Sequence, residues 1–358
     1  MAKQRLIVLF DGTWNDYEDR TNVWRLATLL HDYDDDIRQR FFYDPGLGTS
    51  KWDRFMGGAF GYGLRKNLME GYRWLAEKYV EGDEIWIFGF SRGAYTARSL
   101  VGLIRKCGLV HIHTPRLIKK AEQLYRDKSE TPDGPECKEF KKLYSHEPDI
   151  HFLGVWDTVG ALGIPIPQLK QYFAWHDTEL SKIVKNAYQA MALDEHRKIY
   201  NVSLWTSPDG KKKKANDNVE QRWFIGAHAN VGGGYPSDSL ADLSLEWMLN
   251  HARQQGLSVA PFKCAANAWQ AEPVDSFENF LMGGYAWYRR LRYKDDARFI
   301  RRFNSNAEGA KAVNVSVDDS VWSRWQDKGY NYRPQVLVEA DIKPDSAVRK
   351  SRKTAKTV

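Results

Sequence analysis

A serine hydroxyl becomes a nucleophile when a base takes its proton and a third group orients that base. The segment IWIFGFSRGAYTAR carries Gly89-Phe90-Ser91-Arg92-Gly93, a G-x-S-x-G pentapeptide. The apolar run Ile85–Phe88 precedes it, and Ala94, Ala97, Val101 and Ile104 supply a helical stripe after it. Strand, tight turn and helix are what a nucleophile elbow needs. The turn holds Oγ up at the carboxyl edge of a sheet, and the glycines relieve clashes that side chains would cause. The chemistry predicted is attack by Ser91 on an acyl carbon.

Such a serine requires a histidine downstream, and nine histidines compete. His228 ends the run RWFIGA and opens the glycine-rich ANVGGGYP, which puts a base at a strand's carboxyl end on a loop. His111 and His113 sit just past the elbow helix, whereas His31, His146, His176 and His251 lie in polar or helical surroundings. For the acid, Asp157 ends HFLGVW and is preferred, with Asp194 of MALDEHR as the alternative. Asp242 in SLADLSLEW reads as a helix N-cap or first-turn carboxylate with a supporting role. An oxyanion hole is expected from the backbone N–H of Arg92 and from the loop DGTWND, where Gly12 permits close approach. Asp11 and Thr13 of that loop are candidates for holding it or the substrate. No metal and no cofactor are expected. His111-Ile112-His113 lacks a third ligand, Asp34-Asp35-Asp36 lacks calcium-loop spacing, and GGAFGYG fits neither phosphate-loop pattern.

The elements that must position these groups alternate along the chain. RLIVLF, QRFFYDPG, DEIWIFGFS, DIHFLGVWD and QRWFIGAH read as strands. VWRLATLLHDY, GLRKNLMEGYRWLAEKYV and SLADLSLEWMLNHARQQG read as helices, and VKNAYQAMALDE fits either. Alternation of this kind predicts an α/β fold, a mostly parallel sheet covered on both faces. The domain reading is a catalytic core over 1–260 with a helical insertion at about 107–148, a C-terminal elaboration over 261–340 packed on the core, and a basic disordered tail over 341–358.

Composition narrows the class. The 358 residues include 14 Trp, and aromatics make up 13%, which suits a folded chain with a large core. Three scattered cysteines exclude a disulfide framework. MAKQRLIVLFDGTW is not a signal peptide, and no run approaches the roughly 18 apolar residues of a membrane span. The expectation is a cytoplasmic protein, with any export by a route that leaves the N-terminus intact. The net charge of +7 favours anionic partners, though Lys211–Lys214 reads as a solvated turn. No basic helix or nucleic-acid module stands out, so specific nucleic-acid binding is not expected. The aromatic, basic stretches Tyr285–Tyr293 and Trp322–Trp325 are candidates for a surface that meets an anionic membrane.

The motifs LFDGTWND, GLGTS, GGAFGYGL, GDEIWIFGFSRGAYTAR, GVWDTVGALG, ALDEHR and GAHANVGGGYP occur in an order that resembles one α/β-hydrolase family. It is the family of uncharacterised domains that includes the type VI secretion phospholipase effectors of the first class. The resemblance spans about Leu6 to Trp247. It implies an α/β-hydrolase fold and a serine-dependent lipase or esterase, with Ser91 as nucleophile, His228 as base and Asp157 as acid. It also implies an acyl-ester substrate, most often a glycerophospholipid. The chain departs from the family pattern at Asn230, where aspartate is common, at Asp318, where histidine is common, and at Tyr188-Gln189. The alternatives are an esterase on a non-lipid small ester, or a non-catalytic binding protein on a hydrolase scaffold attracted to anionic membrane or nucleic acid.

Overall fold

The computed structural model describes residues 3–12, 20–46, 57–160, 179–207, 218–236, 238–280, 283–292, 298–306 and 309–344. Its centre is an eight-stranded sheet built from β1 (Gln4–Phe10), β2 (Tyr33–Asp34), β3 (Ile37–Asp44), β4 (Glu84–Phe90), β5 (Ile150–Trp156), β6 (Val184–Ala192), β7 (Val219–Phe224) and β8 (Val315–Val317). The order across the sheet is β8-β7-β6-β5-β4-β1-β3-β2, and only the β2–β3 pair is antiparallel. The near-continuous apolar runs of β1 and β4 follow from burial on both faces of a parallel sheet.

The chain turns one way from β1 to β3 and then restarts on the other side with β4. The strand order therefore reverses between β1 and β4. Crevices at the carboxyl ends of such neighbours are where open α/β sheets bind ligands. Register aligns the ends: Phe10 lies opposite Gly89, Phe90 opposite Trp156, and Trp156 opposite Ala190. Residues 11, 91 and 157 thus emerge side by side.

Helices α2 (Gly57–Lys78) and α3 (Arg92–Cys107) cover one face, joined by α4 (Pro115–Arg126) and α5 (Pro135–Tyr144). The opposite face is covered by α1 (Asn22–Leu29) and by the helix Leu240–Gln254, α7 below. Leu100 and Leu103 of α3 are fully buried, each worth about 1.5–3 kcal/mol of transfer free energy. No described helix is long and apolar enough to cross a membrane.

Three segments resolve what periodicity leaves open. VKNAYQAMA is a strand, β6, buried at all but one position. His228 does not sit in an open loop but starts a short helix, α6 (His228–Gly232), ahead of α7 (Leu240–Gln254). Beyond residue 261 the chain forms α8 (Ser276–Asn279), α9 (Gly284–Arg292), α10 (Asp319–Gln326) and α11 (Gln335–Glu339), and it also adds strand β8 to the edge of the main sheet. Thr13, the Lys211–Lys214 turn and the tail beyond 344 lie outside the described residues.

Candidate active site

Ser91 sits where β4 ends and α3 begins, with φ 58° and ψ −119°. A non-glycine residue held in such a conformation costs on the order of 1–3 kcal/mol, so its surroundings must over-determine it. They do. Ser91 N–H donates to Trp156 O at 2.9 Å, and Ser91 O accepts from Tyr95 and Val159, each at 3.3 Å. A Cβ on Gly93 would lie 2.2 Å from Phe10 O, and one on Gly89 would lie 2.5 Å from Gly93 O. Only glycine at both positions lets the turn close against β1.

His228 Nε2 lies 2.7 Å from Ser91 Oγ, and His228 Nδ1 lies 2.5 Å from Asp157 Oδ2. The carboxylate can only accept, which assigns the ring proton to Nδ1 and leaves Nε2 to accept from the serine hydroxyl. The three side chains, drawn from α3's cap, the end of β5 and the start of α6, form one continuous chain of hydrogen bonds. The imidazole is held between Phe90, with centroids 4.6 Å apart, and the edge of Tyr200 at 4.9 Å. Asn22 of α1 fixes α6 in turn, donating to Val231 O and Ala241 O at 3.0 Å.

Asp157 is fully buried and, like Ser91, has a positive φ, 40°. Burial alone would raise its pKa. The Arg301 charge and the hydrogen bonds from His228 and Arg301 outweigh that, and hold the carboxyl well below the usual carboxylate range. For His228 burial dominates and lowers the pKa, with Asp157 opposing. The imidazole is thereby kept neutral and able to accept a proton.

The other expected residues fall around this core. Asp194 does not reach His228. Its Oδ2 accepts from Gly226 N–H and from Tyr332 OH, both at 2.7 Å, which ties the end of β6 to the C-terminal segment. Gly12 N–H donates to Asp11 Oδ1 at 2.6 Å, so it would serve an oxyanion only by exchanging that partner. Asp11 Oδ2 accepts from Thr21 and Tyr43 hydroxyls at 2.5 and 2.8 Å, a role in holding the loop. Arg92 is the first residue of α3, beside Ser91, at the positive end of the helix dipole. Asp242 lies in the first turn of α7 and pairs with Arg25 at 2.6 Å rather than with the serine or histidine.

Sequence reasoning did not single out Arg301, Glu195, Arg197 or Tyr200. Glu195 is buried, binds Arg197 through two side-chain hydrogen bonds, and accepts from His228 N–H at 3.3 Å. Its motif, ALDEHR, was the only signal available. Arg301 lies in FIRRF, where nothing separates it from Arg302.

Against known proteins, residues 4–251 match the family model described as "T6SS, Phospholipase effector Tle1-like, catalytic domain". The chain is 31% identical over 221 residues to "Uncharacterized protein YEL023C" of Saccharomyces cerevisiae, covering 54% of this chain and 31% of that protein. It thus spans about a third of that relative's length. Among solved structures it is similar to an uncharacterized protein from Pseudomonas aeruginosa, with TM-score 0.43, 18% identity, and coverage of 72% of this chain and 47% of that one. It is also similar to the Tle1 effector bound to the VgrG spike of the type 6 secretion system, with TM-score 0.43, 14% identity, and coverage of 88% and 94%. With its model matched over most of its length, the chain belongs to the family of Tle1-like phospholipase effector catalytic domains of the type VI secretion system.

Proposed function

We propose that this protein hydrolyses carboxylic ester bonds of lipids, phospholipids foremost, through an acyl-enzyme on Ser91. The observation that carries the reading is the unbroken Ser91–His228–Asp157 relay, at 2.7 and 2.5 Å, on a strained elbow. Family membership supports the choice of a lipid substrate.

In this mechanism His228 Nε2 takes the proton from Ser91 Oγ as that oxygen bonds to the substrate's carbonyl carbon. Negative charge moves to the carbonyl oxygen, which the N–H of Arg92 stabilises, joined by that of Gly12 once it exchanges Asp11 Oδ1 for the oxyanion. As the tetrahedral intermediate collapses, the C–O bond to the leaving alcohol breaks, and His228 returns the proton to that oxygen. A water molecule then gives a proton to His228 as its oxygen bonds to the acyl carbon. The acyl–Oγ bond breaks, His228 returns the proton to Ser91 Oγ, and the carboxylic acid is released. Asp157 keeps Nδ1 protonated and favours the imidazolium that forms in each step. No step requires a cofactor.

For the lipid surface we assign α9. Trp287, Tyr288 and Leu291 are 67%, 57% and 65% exposed, beside arginines that suit an anionic bilayer. The helix lies close to the site: Tyr285 packs on Phe280, Phe280 on Tyr200, and Tyr200 on His228.

The test is hydrolysis of a lipid panel with mass spectrometry of the products, wild type against Ser91→Ala. Release of fatty acid from phospholipids by wild type alone is expected. Turnover of short water-soluble esters without any lipid turnover would favour the small-ester reading. Equal turnover by Ser91→Ala would end both.

A further inference from the structure

Asp157 is held by more than the histidine. Arg301 Nη1 donates to its Oδ1 at 2.7 Å and Nη2 to its Oδ2 at 2.9 Å, a two-point pair with both side chains fully buried. Ala192 N–H adds a bond to Oδ1 at 3.0 Å. With His228 on Oδ2, each oxygen accepts two hydrogen bonds, which fills the capacity of a carboxylate. Arg301 also donates to Ala192 O at 2.8 Å and to Tyr200 O, and the Tyr200 ring packs edge-on against the imidazole. Residues 298–306, which carry this arginine, are secured by Phe299 N–H to His196 O and by Trp223 Nε1 to Phe303 O. They lie outside the family-matched span 4–251.

We infer that Arg301 is a positioning residue of the catalytic centre: its two-point grip aims Asp157 Oδ2 at His228 Nδ1 and offsets the carboxylate's charge. The inference rests on the Ser91–His228–Asp157 reading.

An unpaired buried carboxylate beside His228 would draw a proton onto the imidazole, whereas a carboxylate matched by a guanidinium does so less. The other groups around the ring are arranged in balance. Glu195 is paired with Arg197, Tyr200 packs against the ring, Ser91 is at its Nε2, and the Arg92 charge acts on Tyr200 and Arg197. Asn230 on its own helix is neutral. Removing Arg301 therefore leaves one uncompensated negative charge next to His228, and proton uptake becomes easier.

The experiment compares wild type, Arg301→Gln, Arg301→Lys and Ser91→Ala. Active sites are counted with a fluorophosphonate probe, and kcat/KM for a soluble nitrophenyl ester is then followed from about pH 5 to 9. In Arg301→Gln the acid limb should move up by about one pH unit or more. Its kcat per labelled site should fall by about 10- to 100-fold, as when a partner that orients a working group is lost. Arg301→Lys keeps the charge without the planar grip, so its limb should return towards wild type while kcat recovers only in part. A merely structural arginine would reduce the number of labelled sites and leave the limb of the remainder unmoved. That result, or an unchanged kcat per site in either variant, overturns the inference. If Arg301→Gln does not fold, Arg301→Lys decides on kcat per site alone. Wild type that the probe does not label would instead remove the triad reading, and the clamp's role with it.

Discussion

The imidazole of His228 lies on the ring of Phe90, with centroids 4.6 Å apart and planes inclined at 31°. Phe90 immediately precedes Ser91, so the turn that strains Ser91 also provides a platform for the imidazole that lies 2.7 Å from its Oγ. Pairs of this kind contribute about 0.5–1.5 kcal/mol beyond simple burial. Phe90→Leu should stay folded yet lose roughly 10-fold in kcat with little change in KM, because the base is less well aimed. Phe90→Ala should also lose about 3–5 kcal/mol of stability through the cavity it leaves. Thermal unfolding beside steady-state kinetics separates the two, and an unchanged kcat in Phe90→Leu would sink the platform idea.

The pH profile follows from two depressed groups. Burial lowers the His228 pKa from its ordinary 6.5, so the neutral base survives into mildly acidic solution. The acid limb of kcat/KM in wild type should therefore lie below 6.5. Stability carries the same sign. Below 6.5 the unfolded histidine takes up a proton that the folded one resists, so stability begins to fall there. Asp157, with its pKa held below 3.8, contributes stability that is complete above that value and lost as pH falls further. Unfolding curves from about pH 8 to 3 should show both losses, and His228→Gln should reduce the first, the remainder coming from His251, whose pKa burial lowers to about 4. An acid limb above the ordinary histidine value would contradict this account of His228.

The side-chain amide of Asn230 has a specific task. Its Oδ1 accepts from Ala227 and Val274 N–H at 3.0 and 3.1 Å, while Nδ2 donates to Asp238 Oδ2 at 3.1 Å. Burial pushes Asp238 up to about 6, against the hydrogen bonds from Asn230 and Leu240 that lower it. Asn230→Asp would set a second carboxylate against the first. A stability loss of about 1–3 kcal/mol is expected at pH 8. The loss should shrink as pH falls through about 6, where one protonated carboxyl can donate to the other. Melting temperatures of both proteins at pH 8 and 5 test this; a deficit that grows on acidification would contradict it.

On α9, Trp287 and Leu291 form the exposed apolar face. Trp287→Ser combined with Leu291→Ser should weaken co-sedimentation with vesicles of anionic phospholipid by about 10-fold or more, since each buried side chain contributes about 1.5–3 kcal/mol. Hydrolysis of a soluble short-chain ester should be unaffected. Equal vesicle binding by the double variant would remove α9 from the membrane surface.

Much of this arrangement could be read from the sequence, because strong local signals and strand ends carry it. RLIVLF and IWIF are short apolar runs closed by glycine-containing turns, which favours buried strands, and the elbow needs no partner to be recognised. VKNAYQAMA fits either element, since Lys185, Asn186 and Gln189 interrupt its apolar residues without a strict period of two, and Asn186 and Gln189 are buried all the same. Asp157 and Asp194 were hard to separate because both follow neighbouring parallel strands. Only the stagger of β5, β6 and β7 brings the first to His228 and turns the second towards Tyr332. Arg301 was out of reach: its segment has no regular structure, and its partner lies 144 residues earlier.

The central claim is that Ser91 is a nucleophile activated by His228. Labelling with a fluorophosphonate probe, read by intact-protein mass spectrometry, tests it most directly. Wild type should gain one adduct on Ser91, Ser91→Ala should gain none, and His228→Ala should react about 10³-fold or more slowly. An unlabelled wild type, or an adduct on Ser91→Ala equal to that of wild type, would contradict the account.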